Sequence, residues 1–257
     1  MIRTPAAAGM FYPAEPHRLQ AQIQQMLAQS DPPHIRPKAL IVPHAGYIYS
    51  GQTAAQAYRL LQHYPQIHRV VLLGPAHRVY VPGLAVSSAT AFTTPLGAIP
   101  IAVDAVRKIL ELSQVQVSDV AHAPEHSLEV QLPFLQSVLG DFQLVPILVG
   151  DADAPQTAAV IERLWGDDET LILVSSDLSH FHPYREAQQI DRATGDAILR
   201  MSEALVGEQA CGCHAINGLM HSARQHRMKI TELAICNSGD TAGDKERVVG
   251  YGAYALH

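Results

Sequence analysis

A single α/β domain, built on a mixed and centrally parallel sheet flanked by helices, is the fold that this sequence predicts. Three observations lead there. Short apolar runs alternate with longer amphipathic ones along the whole chain. The central runs, such as ALIV, VVLL and LILV, are apolar at every position, as strands covered on both faces are. Proline, glycine and serine occur as single turn signals and are nowhere gathered into a linker, so 257 residues at 47% hydrophobic content read as one domain over 1–257.

Taken in order, an amphipathic helix is expected at 16–28, and ALIV gives a strand at 39–42. A helix at 52–62 leads to the run VVLL at 70–73, and GLAV gives a third strand at 83–86. Helices follow at 104–112 and 127–139. In the second of these Leu128, Leu132, Leu135 and Leu139 share one face, and Pro133 should displace the first turns. The run LVPILV makes a strand at 144–149, 155–165 a helix, LILV a strand at 171–174, and 183–201 a helix. A last helix opens near Cys211 and runs to about Gln225, and strands at 230–235 and 248–255 close the chain. The strand order is not readable from these patterns.

Composition excludes several function classes. The net charge of −6 comes with no basic stripe, which argues against a nucleic-acid partner. No segment reaches the roughly 18 apolar residues of a membrane span, and the first residues lack the apolar core of a signal peptide, so the expectation is a soluble cytoplasmic protein. Three cysteines, an odd number, point to reduced thiols. Dinucleotide, P-loop, hydrolase-elbow and H-E-x-x-H signatures are absent. Histidine stands out: there are 14, against 18 lysines and arginines.

Three of these histidines follow apolar strands. The strand of ALIVPHAG leads to His44, that of VVLLGPAH to His77, and that of LILVSSDLSH through Asp177 to His180. In an open α/β sheet, ligands bind outside the carboxyl ends of the strands. One histidine at such an end is ordinarily a hydrogen-bonded loop residue. Three, with an aspartate, suggest a metal or acid/base cluster. The stretch EQACGCHAI adds Cys211 at a helix start, where backbone N–H groups favour a thiolate, although a buried hydrophobe is the commoner role for cysteine. Cys213 and His214 lie close enough to compete with it, and Cys236, ending an apolar run, reads as core. In APEHSLEVQL, Ser127 is expected to cap a helix. Glu125 and His126 are expected to support the site or touch its substrate, with His122 less favoured. The remaining histidines read as solvated.

The segments AAAGMFYP, PHAGYIYSG, GPAH, EHSLEVQLPFLQ, SSDLSHF, CGCHAI and NSGDTAGDKERVVGYGAYAL, in this order, resemble the Memo family, in its prokaryotic branch named for the AmmeMemoRadiSam system. That family is similar in fold to LigB-type class III extradiol dioxygenases, which hold non-haem Fe(II) with two histidines and a carboxylate. The resemblance implies His44, His77 and Cys211 as metal ligands, with cysteine where the dioxygenases have glutamate. It implies His180 as catalytic acid/base with Asp177 beside it, and a cleft involving Phe11 and Tyr47. A thiolate makes the site softer and shifts metal preference toward copper(I), zinc or thiolate-bound iron, and Phe11 stands where vertebrate relatives have tryptophan at a cleft proposed to bind phosphorylated peptide.

The functions that follow are a metal-dependent redox enzyme using iron or copper, a non-enzymatic module binding a peptide or small molecule, and a zinc-dependent or Cys211-nucleophile hydrolase or transferase. The branch name implies a radical-SAM protein and an AMMECR-like protein as system partners.

Overall fold

Residues 1–257 are described by a computed structural model of the chain. Its strands are β1 (Ile2–Arg3), β2 (Ala39–Val42), β3 (Arg69–Pro75), β4 (Leu84–Val86), β5 (Ala91–Thr94), β6 (Gly97–Pro100), β7 (Val115–Val117), β8 (Gln143–Val149), β9 (Thr170–Ser175), β10 (His180–His182), β11 (Ile230–Asn237) and β12 (Val248–Leu256). Its helices are α1 (Pro16–Ala28), α2 (Tyr47–Leu61), α3 (Val103–Ile109), α4 (Asp119–His122), α5 (Leu132–Val138), α6 (Ala154–Arg163), α7 (Tyr184–Leu199) and α8 (Cys213–Gln225).

Nine strands form one mixed sheet in the order β10-β12-β2-β9-β3-β8-β4-β7, with β11 added along β12. Its centre, β2-β9-β3-β8, is parallel throughout, as the fully apolar runs require. The antiparallel partners stand outside that centre: β12 beside β2, and β4 beside β8. A small second sheet, β1-β5-β6, ties residues 2–3 to the middle of the chain. One contiguous hydrophobic core joins the layers.

Local chemistry explains the helix ends. Glu15 accepts from the backbone N–H groups of His17 and Arg18, and Pro16 occupies the first turn of α1. Asp153 and Gln156 form a reciprocal capping box on α6, again with a proline in the first turn. The helix expected over 127–139 is shorter. Pro133 restricts α5 to Leu132–Val138, preceded by a 3-10 turn at Glu129–Gln131, while Leu128, Leu132, Leu135 and Leu139 are buried as predicted. Ser127 caps nothing: its hydroxyl donates to the Pro75 carbonyl. The helix expected at 52–62 begins earlier, at Tyr47, straight after the strand exit. β11 is the open edge of the sheet and only half-buried. Cys236 within it is accordingly not a core residue; its sulfur lies 3.0 Å from the Thr53 hydroxyl, beside an open cavity of about 760 Å³ between α7 and β11.

Candidate metal centre

The strands β2, β9 and β3 are consecutive neighbours, with Val42 paired to Ser175 and Leu73 to Val174. Their carboxyl ends therefore release His44, Asp177 and His77 side by side at one edge of the sheet. The irregular segment after α4 brings His126 to the same place. One ring nitrogen from each of His44, His77 and His126 lies within 4.8 Å of the others. The ring centroids are 5.2 Å apart for His44 and His77, 5.4 Å for His44 and His126, and 5.0 Å for His77 and His126.

Hydrogen bonding fixes which nitrogens are free. The Ser175 hydroxyl donates to the Ser127 carbonyl at 2.7 Å, so toward His44 Nδ1, 2.8 Å away, its oxygen must accept. His77 Nδ1 lies 3.0 Å from Glu125 Oε1, again an acceptor. His126 Nδ1 is 3.2 Å from the same oxygen but off the line of a hydrogen bond, and is buried without a partner. Each Nδ1 thus faces an acceptor, which turns the Nε2 atoms of His44 and His77 away from these partners, that of His44 toward the Cys211 sulfur. This is how metal-binding imidazoles are oriented from behind. Burial, followed by the proximity of His77 and His126, pushes His44 well below the usual histidine range and keeps it neutral, the form that ligates.

Glu125 organises two of the three rings. Beyond His77 Nδ1, it accepts from the backbone N–H groups of His77 at 2.6 Å, His126 at 2.9 Å and Ser127 at 3.0 Å. Burial alone would raise its pKa, but the hydrogen bonds from His126, His77 and Ser127 outweigh that and hold the carboxyl far below the carboxylate range. Glu125, expected either to support the site or to touch its substrate, lies hydrogen-bonded to His77. His126, expected at the periphery, instead stands among the potential ligands.

Asp177 is buried, and its Oδ1 accepts from the backbone N–H groups of His44 at 2.8 Å and Ala45 at 3.3 Å. It holds the strand exit that carries His44. Cys211 Sγ lies 3.4 Å from His44 Nε2 and 3.3 Å from the Asp177 N–H that donates to it. Gly212 permits this approach: a Cβ there would lie 2.8 Å from the Ser175 carbonyl oxygen and 2.7 Å from Ser176 Cβ. The helix-start activation expected for Cys211 is not found. α8 begins at Cys213, and burial, with Asp177 nearby, pushes the Cys211 thiol up. Cys213 is buried in the core and His214 exposed.

His180 opens β10, and its Nδ1 donates to the Leu178 carbonyl at 2.9 Å, so Nε2 carries the lone pair. Phe11 covers His126 with ring centroids 4.4 Å apart. It is held there by Glu129, which is fully buried and accepts from Arg3, from the N–H groups of Ala6 and Ala7, and from the Tyr12 hydroxyl. Tyr47 offers no free donor to a ligand, because its hydroxyl is bound by the Val130 carbonyl at 2.8 Å and its ring packs on Phe134. Ser175 and Gln131 carry no such expectation from the sequence, and Glu129, which reads there as an acidic residue favouring the N-terminal end of the next helix, instead anchors residues 3–12. Only the polar pair Ser175–Ser176 at the end of an apolar strand hinted at the first.

His122 belongs to the core. It is 2% exposed, with Nε2 3.1 Å from the Ala85 carbonyl oxygen. Burial lowers its pKa to about 4. Because the folded pKa lies below the unfolded value of about 6.5, this residue's contribution is present above pH 6.5 and is lost as pH falls toward 4. We expect up to ~3 kcal/mol of stability to disappear across that window. The measurement is urea denaturation of wild type and His122→Gln at several pH values; parallel pH dependences would refute the assignment.

Fold and site together define an α/β protein that gathers imidazoles at the carboxyl edge of a parallel sheet centre, a candidate metal-binding arrangement. The chain belongs to the Memo family: the family model described as Memo-like protein matches residues 3–255. MEMO1 family proteins of Aquifex aeolicus and Archaeoglobus fulgidus are 35% and 36% identical to it, each over 97% of both chains. In fold it resembles the crystal structure of an uncharacterized Escherichia coli K12 protein, with a TM-score of 0.55 at 12% identity over 86% of this chain and all of that one. No helix is long and apolar enough to cross a membrane.

Proposed function

We propose that this protein is a metal-dependent redox enzyme whose centre is held by His44, His77 and His126, with the Cys211 sulfur as a further donor. The observation that carries this reading is the convergence of three imidazoles whose Nδ1 atoms all face acceptors. The unpartnered, buried Nδ1 of His126 fits a ring whose orientation is completed by ligation. Iron or copper suits a nitrogen set with a thiol, and zinc fits the same donors. When bound, such an ion supplies Lewis acidity and, for iron or copper, one-electron redox chemistry.

The surrounding residues have separate tasks. Glu125 orients His77 and His126, and Asp177 fixes the backbone of His44. Phe11 keeps water from one face of His126. His180 offers the Nε2 lone pair and can accept a proton there, returning it after reaction. His180→Gln is therefore expected to retain metal but lose roughly 10² to 10⁴ in the rate of any step needing proton transfer. Loss of metal in that variant would instead make His180 a ligand.

The deciding experiment is metal analysis of protein purified anaerobically. Near-stoichiometric iron or copper supports the redox reading, zinc alone points to the hydrolase or transferase, and no metal leaves a binding module. The last alternative has one observation of its own: an open groove of about 780 Å³, lined by Met10, Phe11 and Ile48, adjoins the Phe11 ring that covers His126. Radical-SAM and AMMECR-like proteins are the partners we propose to test by co-purification.

A further inference from the structure

Phe181 follows His180 and has a left-handed backbone, with φ of 63°, although it is neither glycine nor asparagine. Such a conformation is unfavourable for a bulky side chain and is retained where something other than folding selects it. Burial gives no reason for it, since Phe181 is 60% exposed. The residue sits at a register shift between β10 and β12, where His180 pairs with Val249 and His182 with Val248, and an irregularity of this kind re-aims the side chain it carries. Here the ring lies beside His180. Its centroid is 5.7 Å from that of His180, nearly edge-on.

The same pairing brings Arg247, just before β12, onto Phe181. The guanidinium carbon is 5.0 Å from the ring centroid. Asp244 holds the Arg247 backbone N–H at 3.2 Å, but no carboxylate pairs with the guanidinium, although Asp244 and Glu246 share its turn. Neighbouring charges are otherwise engaged: His182 contacts Glu186 at 3.1 Å, and Lys245 lies over Tyr184. A guanidinium that lies over an aromatic ring and has no carboxylate partner keeps its N–H donors available, and its planar fork can grip a carboxylate or phosphate with two bonds.

We infer that Phe181 and Arg247 form an oxyanion-recognising wall beside His180, and that the ligand of this cleft carries a carboxylate or phosphate on a flat apolar body. The apolar body stacks near Phe181, the oxyanion takes the free guanidinium, and the reacting part of the ligand is placed toward His180. This inference rests on the reading of the cleft as a ligand site, but not on its metal.

Chelator-treated, metal-free protein can therefore be titrated with benzoate, phenyl phosphate and the neutral benzyl alcohol, following amide NMR shifts around residues 180–182 and 247–249. Benzoate or phenyl phosphate should saturate, and the stronger of the two identifies the oxyanion. Arg247→Met, which keeps the apolar stem, should weaken that probe about tenfold or more, the effect of losing a charge-assisted pair. Phe181→Gly should weaken it as well while melting no lower than wild type, because glycine adopts the left-handed conformation without strain. The inference is overturned if neither anion saturates, if benzyl alcohol binds equally well, if Arg247→Met binds like wild type, or if Phe181→Gly melts lower. None of these readouts depends on metal occupancy, so a failure here leaves the metal reading standing, and protein that proves metal-free on anaerobic purification yet still grips the probe refutes only the metal reading.

Discussion

His44→Ala and His77→Ala proteins are expected to fold but to bind metal at least about 100-fold more weakly, beyond the ~10- to 100-fold typical of losing a residue that merely supports a ligand. His44 gives up one hydrogen bond, to Ser175, and leaves a small cavity, so its stability should fall by about 1–2 kcal/mol. His77 is half-buried and should lose less. Affinity is measured by competition with a chelator of known strength, and folding by circular dichroism. His126→Ala belongs in the same series: a loss as large as that of the other two places it among the ligands, whereas a smaller loss, with a large one in Cys211→Ser, returns the third position to the thiol. Full metal occupancy in either His44→Ala or His77→Ala would sink the assignment of that residue.

Glu129→Ala is expected to destabilise the protein by about 3–5 kcal/mol, because it strands a buried guanidinium. Arg3 is 7% exposed and loses its ion-pair partner, while the N–H groups of Ala6 and Ala7 and the Tyr12 hydroxyl lose their acceptor together. Burial, the first of the causes that push the Tyr12 phenol far above its ordinary range, persists in the variant and opposes its ionising to compensate. Glu129→Gln keeps some acceptors and should fall between. The same change should loosen Phe11 from His126, since residues 6–12 lose their anchor. Equilibrium urea denaturation reads the effect, and a loss under 1 kcal/mol for the alanine variant would contradict it.

The central strands were legible because burial on both faces demands apolar residues at every position, so β2, β3, β8 and β9 announce themselves by composition. Strands β1, β5, β6, β7 and β10 read IR, AFTT, GAIP, VQV and HFH; they are too short or too polar to stand out, and pairing partners decide them. The site divides in the same way. His44 and His77 follow strands, whose carboxyl ends share an edge whatever the strand order. His126 follows no strand, and its place depends on hydrogen bonds converging on Glu125 from residues 77, 126 and 127, which no local pattern encodes. Cys211 illustrates the opposite error: its nearness to a helix start was readable, but the enclosure that governs its acidity was not.

The position of β12 between β10 and β2 bears on how the protein matures on the ribosome. Until residues 248–256 have emerged, β10 has no strand to pair with, and neither His180 nor Phe181 can take its place. The Phe11 cover, made earlier, must wait for Glu129 as well. Pairings so distant along the chain are slow to form. A nascent chain can therefore gather His44, His77 and His126 before it places His180, so the side of the proposed centre that His180 forms is an event of the completed polypeptide.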